Sequence, residues 1–144
     1  LMIFDSWAEG LPPSVFHEVV IKPTKRVVDT LRARGVTVPI IGFARGCGAM
    51  LKPYAELTGV SAVGLDTSQP ASYVNAALHP KMPVQGNLDP LSIIAGGEQL
   101  DHAVDEIIEA YRGRPHIFNL GHGIQPPTPP EHVEQLMARI RGAS

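Results

Sequence analysis

Val38-Pro39-Ile40-Ile41-Gly42-Phe43, followed by Ala44-Arg45-Gly46-Cys47-Gly48 and then by the segment 49–57 with Gly59 behind it, decides the fold of this chain. An apolar run this short, bounded by polar and Gly positions, has the length of a buried strand and not of an ordinary helix. The segment 49–57 reads as a short helix, and Gly59 stands where a left-handed C-terminal cap belongs. The unit is strand, polar turn, helix.

The same unit recurs in both directions along the chain. Residues 1–5, 62–66, 82–85 and 116–120 are the other predicted strands, all short and none strictly alternating, which predicts burial on both faces. Phe16, Val19, Val20, Val27, Val28 and Leu31 mark one helical face, interrupted by Pro23 and closed by Gly35. Residues 70–78 follow Ser68, a predicted N-cap, and carry Pro in the first turn, where its missing N–H costs nothing. Leu100, Ala103, Val104, Ile107, Ile108 and Tyr111 recur at helical spacing. Thr128-Pro129-Pro130-Glu131 fits a capping box ahead of Val133, Leu136, Met137 and Ile140, and Arg139, Arg141, Gly142, Ala143 and Ser144 resemble a frayed helix end.

Buried strands alternating with helices imply an α/β fold with a parallel sheet, either open and doubly wound or part of a (β/α)8 barrel. The 144 residues suit one domain by size. A closed barrel, however, takes about 250 residues, so these five units match only part of one. Leu1-Met2-Ile3-Phe4 begins an apolar run at the first residue, without an initiating Met or basic leader, and reads as a chain cut inside a strand.

Composition excludes several classes of function. Hydrophobic residues are 44% and charged residues 18%, as in globular proteins and unlike disordered ones. No apolar run reaches the length of a membrane span. Twelve Lys and Arg against 14 Asp and Glu leave a net charge of −2, which provides no basic field for nucleic acid or anionic lipid. An anionic ligand therefore needs a local pocket. The single cysteine, Cys47, allows neither an intrachain disulfide nor a cysteine-cluster zinc site, and points to a reducing cytoplasm.

In parallel α/β folds chemistry collects beyond the carboxyl ends of the strands. Those ends here are Asp5-Ser6-Trp7, Ala44-Arg45-Gly46-Cys47-Gly48, Asp66-Thr67-Ser68, Gln85-Gly86-Asn87-Leu88-Asp89-Pro90 and Asn119-Leu120-Gly121-His122-Gly123. His122 is the strongest single candidate, because flanking glycines allow close approach and imidazole donates, accepts or changes charge near neutral pH. The competing reading, a histidine held by backbone hydrogen bonds in a tight turn, stays open. Gly121-His122-Gly123 is no dinucleotide fingerprint, since Gln125 and Pro126 stand where its remaining glycine is expected and it follows the last strand rather than the first. Asp5 and Ser6 are either a polar pair at the mouth or a cap. Asn87 and Asp89 are either cleft groups or turn formers. Ser6 lacks the Gly-x-Ser-x-Gly elbow of a hydrolase. Cys47 reads as a small buried thiol. His17, His79, His102, His116 and His132 show no ligand spacing, so solvated or packing roles suffice.

Taken together, Phe4-Asp5-Ser6-Trp7-Ala8, Gly64-Leu65-Asp66, Gln85-Gly86-Asn87-Leu88-Asp89-Pro90, Asn119-Leu120-Gly121-His122-Gly123-Ile124 and Thr128-Pro129-Pro130-Glu131-His132-Val133 resemble the C-terminal part of the uroporphyrinogen decarboxylase family, in order and nearly end to end. The resemblance implies that residues 1–144 are about five βα units of a (β/α)8 barrel whose N-terminal part is absent. It implies decarboxylation of the four acetate side chains of uroporphyrinogen III to give coproporphyrinogen III in haem biosynthesis, without metal or organic cofactor, by a cytoplasmic homodimer. Ser6 falls on the family's Ser/Thr substrate-binding position and His122 on its substrate-binding histidine, while Asn87 and Asp89 are expected to be architectural. The family's arginine-rich loop, pyrrole-binding aspartate and binding tyrosine precede the matched stretch, so the chain alone is expected to be inactive. Two alternatives are a zinc-dependent cobamide methyltransferase of the same barrel superfamily, which the missing His-x-Cys pair opposes, and a non-catalytic half-barrel binding module.

Overall fold

Each predicted strand delivers one strand of a single sheet. In the computed structural model, which describes residues 1–142, β1 (Met2–Asp5), β2 (Ile41–Ala44), β3 (Ala62–Gly64), β4 (Val84–Gln85) and β5 (His116–Ile117) pair in parallel, in chain order. Strand order never reverses, so the sheet has no topological switch point of the doubly wound kind. Ala143 and Ser144, read as part of a frayed end, lie outside the described residues.

The observed strands are shorter than the apolar runs, and proline explains part of this. Pro39 and Pro83 have no N–H to give a ladder, so pairing begins after each of them. Beyond β5 the pairing resumes as an isolated bridge between Leu88 and Leu120.

The helices are α1 (Pro13–Phe16), α2 (Lys22–Ala33), α3 (Leu51–Leu57), α4 (Ala71–Ala77), α5 (Pro90–Ala95), α6 (Gly97–Ala110) and α7 (Pro130–Gly142). A π-helical turn over His17–Ile21 joins α1 to α2, so Pro23 does not break the helix as expected; it sits in the first turn of α2, just after the wider turn. Gly35, at φ +81°, follows the end of α2 as the sequence suggests.

Two expected caps do not form. Ser68 donates its N–H and hydroxyl to Asp66, and α4 starts at Ala71 with no side-chain cap. Thr128 lies two residues before α7, and its buried hydroxyl has no partner among the described residues. The helix begins at Pro130, so Pro129 and not Thr128 occupies the N-cap position. Conversely, α5 was unforeseen, although Asp89 caps it through Leu91 N at 2.9 Å with Pro90 in its first turn.

Register explains how the sheet meets the helices. Ile3, Gly42, Val63, Val84 and His116 align across the strands, as do Phe4, Phe43, Gly64, Gln85 and Ile117 in the next row. Val63 and Val84 are fully buried against a core that includes Phe16, Val20, Val28, Leu51, Tyr54 and Val74 from the helix layer. Gly42 is the small member of that row because a Cβ there would meet the Tyr54 hydroxyl at 2.6 Å. The alternate row is open: Phe4 is 67% and Ile117 48% exposed. The expectation of strands buried on both faces thus holds for the helix side only, because side chains of opposite parity face away from the helices. A second core cluster joins α5, α6 and α7 through Ile93, Leu100, Val104 and Leu136 beneath Leu88 and Leu120.

His116 ends the helix-facing row, half-buried and 4.6 Å from the Tyr111 ring centroid. Its Nε2 bonds to the Gly86 carbonyl, and since a carbonyl only accepts, that nitrogen carries the proton. Burial holds its pKa below the ordinary histidine value, partly offset by the Gly86 bond. The unfolded chain therefore takes up this proton first as the pH falls. Stability is expected to be complete above about pH 6.5 and to decline as the pH drops through the lower folded value. Urea unfolding from pH 7.5 to 5 checks this; H116F is expected to flatten that part of the profile, and an unchanged slope would refute the assignment.

Candidate active site

Several polar strand ends are used to join the loops to one another. Asp66, 5% exposed at the end of β3, accepts Gly46 N at 2.6 Å on Oδ2, and Ser68 N at 2.7 Å and Ser68 Oγ at 2.5 Å on Oδ1. Gln69 donates to the Gly48 carbonyl at 3.3 Å and to Cys47 Sγ at 3.5 Å. Asn87, buried after the cis Gly86–Asn87 peptide, donates to the carbonyls of Asp66 and Gln69 at 3.0 and 2.8 Å and accepts from the Tyr111 hydroxyl at 3.3 Å. Asp89 is the α5 cap, and Asp5 Oδ1 accepts Trp7 N at 3.1 Å to form a turn. Asn87 and Asp89 are therefore structural in their contacts, and Asp5 is a turn former.

Gly121 completes this framework. Its N–H donates to the Leu88 carbonyl at 2.8 Å, and a Cβ on it would stand 2.5 Å from Thr67 N. Only glycine lets the loop after β5 lie directly on the loop after β3, and this contact sets the position of His122.

What remains free faces two cavities. One, about 440 Å³, opens on the face of the sheet that the helices leave uncovered and is lined by Phe4, Ser6, Phe43, Arg45, Gln85 and His122. Its apolar floor includes Phe4 and Phe43, edge to face with centroids 6.1 Å apart. The other, about 400 Å³ and more polar, includes Glu9, Arg45, Asp66, Ser68, Asp89 and His122. Ser6 and His122, from the first and last strand ends, thus share one cavity. Both are exposed, and among the described residues neither side chain makes a hydrogen bond, so the reading of His122 as a turn histidine pinned by the backbone finds no contact here. Larger grooves along α7, about 530 and 570 Å³, have no strand end in their walls.

Sequence reasoning underrated Arg45, Phe4 and Phe43. The aromatic pair was legible only as strand residues, and its cavity role follows from register. Cys47 behaves as expected of a buried thiol: burial, and secondarily the nearby Asp66 charge, push its pKa up to about 12, so it is protonated at neutral pH. Among the described residues no group of three His, Cys, Asp or Glu is placed to hold a metal ion. Among them, too, no helix is long and apolar enough to cross a membrane.

The cavity's place at the strand ends agrees with the relationships of the chain. The sequence model of the uroporphyrinogen decarboxylase (URO-D) family matches residues 1–143. The chain is 60% identical over 143 residues to the uroporphyrinogen decarboxylase of Hyphomonas neptunium, covering 99% of this chain and 42% of that protein. It is 56% identical over 144 residues to that of Maricaulis maris, covering 100% of this chain and 42% of that protein. With the Caulobacter vibrioides protein of the same name the identity is 49% over 142 residues, covering 99% and 40%. The chain spans about two-fifths of the length of these curated relatives. With residues 1–143 matched by the family model, and with Ser6, Arg45, Gln85 and His122 from four strand ends around one cavity, the chain belongs to the uroporphyrinogen decarboxylase family.

Proposed function

We propose that residues 1–144 form the C-terminal five βα units of a (β/α)8 barrel, and that the full-length enzyme converts uroporphyrinogen III to coproporphyrinogen III. The observation that carries this reading is the cavity shared by Ser6 and His122 on the uncovered face of an unreversed parallel sheet. A parallel sheet is ordinarily covered on both faces, and closure into a barrel by further strands would turn Phe4, Phe43 and Ile117 inward.

In this reading Ser6 and His122 bind the substrate at the strand ends. The tetrapyrrole provides the electron sink: protonation of a pyrrole carbon draws the electrons of the breaking C–CO2 bond into the ring, carbon dioxide leaves, the exocyclic methylene takes up a proton to become methyl, and the ring carbon gives up the proton it first received, so that one proton is consumed for each carbon dioxide released. The protein orients the acetate arms and excludes water over the aromatic floor. The reaction asks for no metal or organic cofactor. The working form is a cytoplasmic homodimer, as in the family resemblance.

The test incubates the full-length protein with uroporphyrinogen III under reducing conditions and separates the products as porphyrins. Coproporphyrin is expected. A folded full-length protein that leaves the substrate unchanged would overturn the assignment, and coproporphyrin formed by the purified 144-residue chain would overturn its dependence on the remaining units.

A further inference from the structure

We infer that Arg45 is a carboxylate anchor of this site, holding one side-chain carboxylate of the substrate at the border of the two cavities; the inference rests on the reading above that the ligand is a polycarboxylate. Arg45 follows β2, and its backbone N–H is committed to the Asp5 carbonyl at 2.9 Å, which sets where the side chain leaves the sheet. The residue is half-buried and lines both cavities, as His122 does. No other Lys or Arg lines either of them.

The guanidinium is unused by the described residues. Among the described residues it makes no hydrogen bond and no ion pair, whereas Arg32, Arg112, Arg114 and Arg139 each bond to carbonyls or carboxylates. Arg26, Arg34 and Arg141 are also unpaired, but they are exposed on the helix layer. None of the three carboxylates sharing Arg45's polar cavity pairs with it: Asp66 is occupied by three donors, Asp89 by Leu91 N, and Glu9, itself exposed, makes no ion pair with Arg45. A half-buried cation without an internal partner is costly to keep unless an anion arrives. The planar fork of arginine suits a carboxylate in two-point contact. The aromatic floor takes the ring, and the polar rim at Arg45 and His122 takes the arm.

Two measurements on the full-length enzyme test this: turnover of uroporphyrinogen III, and fluorescence titration with uroporphyrin, which carries the same carboxylates but is not turned over. R45M is expected to raise KM for the substrate and Kd for uroporphyrin about tenfold, about 1.4 kcal/mol, with kcat little changed and a weaker salt dependence. R45K, which keeps the charge but not the two-point fork, should recover part of the loss, which a purely structural role would not predict. Equal KM and Kd in R45M and wild type, a loss confined to kcat, or R45K no better than R45M overturns the inference. An inactive wild type whose uroporphyrin binding still weakens in R45M removes the decarboxylase reading and keeps the anchor. An active wild type indistinguishable from R45M removes the anchor and keeps the reading, and a wild type with neither turnover nor binding removes both. If R45M does not fold, R45Q repeats the comparison with a polar stem.

Discussion

H122N in the full-length protein is expected, on the proposed function, to lower kcat/KM for uroporphyrinogen III about 100-fold, the loss typical of removing one positioned hydrogen-bonding group. Its melting temperature should remain that of the wild type. The reason is the separation of roles at the end of β5. The His122 ring is exposed in the shared cavity and makes no hydrogen bond among the described residues, so the folded state does not depend on it. Parallel steady-state kinetics and thermal unfolding decide the matter. Kinetics within twofold of wild type would take His122 out of the site, and a large drop in melting temperature would make it structural.

G121A, one position earlier, is expected to do the reverse and lower stability by about 3 kcal/mol, the upper range for an overpacked core position. The added Cβ would lie 2.5 Å from Thr67 N, 2.8 Å from Thr67 Cγ2 and 2.9 Å from the Asp66 carbonyl carbon, and two of these are backbone atoms that cannot swing aside. The loop after β5 would have to lift from the loop after β3, weakening the Gly121 N–H bond to Leu88 and moving His122 with it. G123A is the internal control. A Cβ there meets nothing within 4 Å, so stability should change by less than about 0.5 kcal/mol, as for ordinary surface substitutions. Denaturant unfolding of the two variants tests the pair, and equal stabilities would show that the close approach to Thr67 does not hold the loop.

These two glycines illustrate how much of the site was legible beforehand. Gly121-His122-Gly123 stood out because glycine beside histidine permits close approach, but only coordinates show that the first glycine is obligatory and the second is not. The polar strand ends behave alike. Asp66, Asn87 and Asp89 looked as eligible for chemistry as Ser6, since carboxylates and amides serve caps, turns and catalysis with the same atoms. Asn87 reaches carbonyls 21 and 18 residues back, and Asp66 reaches an N–H 20 residues back, so no local pattern could have shown that they are occupied. Helix starts were misplaced for a related reason. Ser68 and Thr128 have the residue type of a cap, but Asp66 engages the first and the second stands one residue outside the N-cap position of α7.

By itself the sequence determined the succession of strands and helices, the polar strand ends and the family, because hydrophobic period, strand length and turn residues are local properties that survive without knowledge of any partner. The tertiary structure alone decided which polar groups are consumed by the fold and which keep no internal partner among the described residues. Parallel register sets Phe4, Phe43 and Gln85 on the uncovered face and turns Val63 and Val84 to the helices, while hydrogen bonds between distant loops occupy Asp66 and Asn87 and leave Ser6, Arg45 and His122 free around one cavity. The physical reason is satisfaction: a buried polar group must find a partner, and which one it finds depends on which strands come to lie side by side.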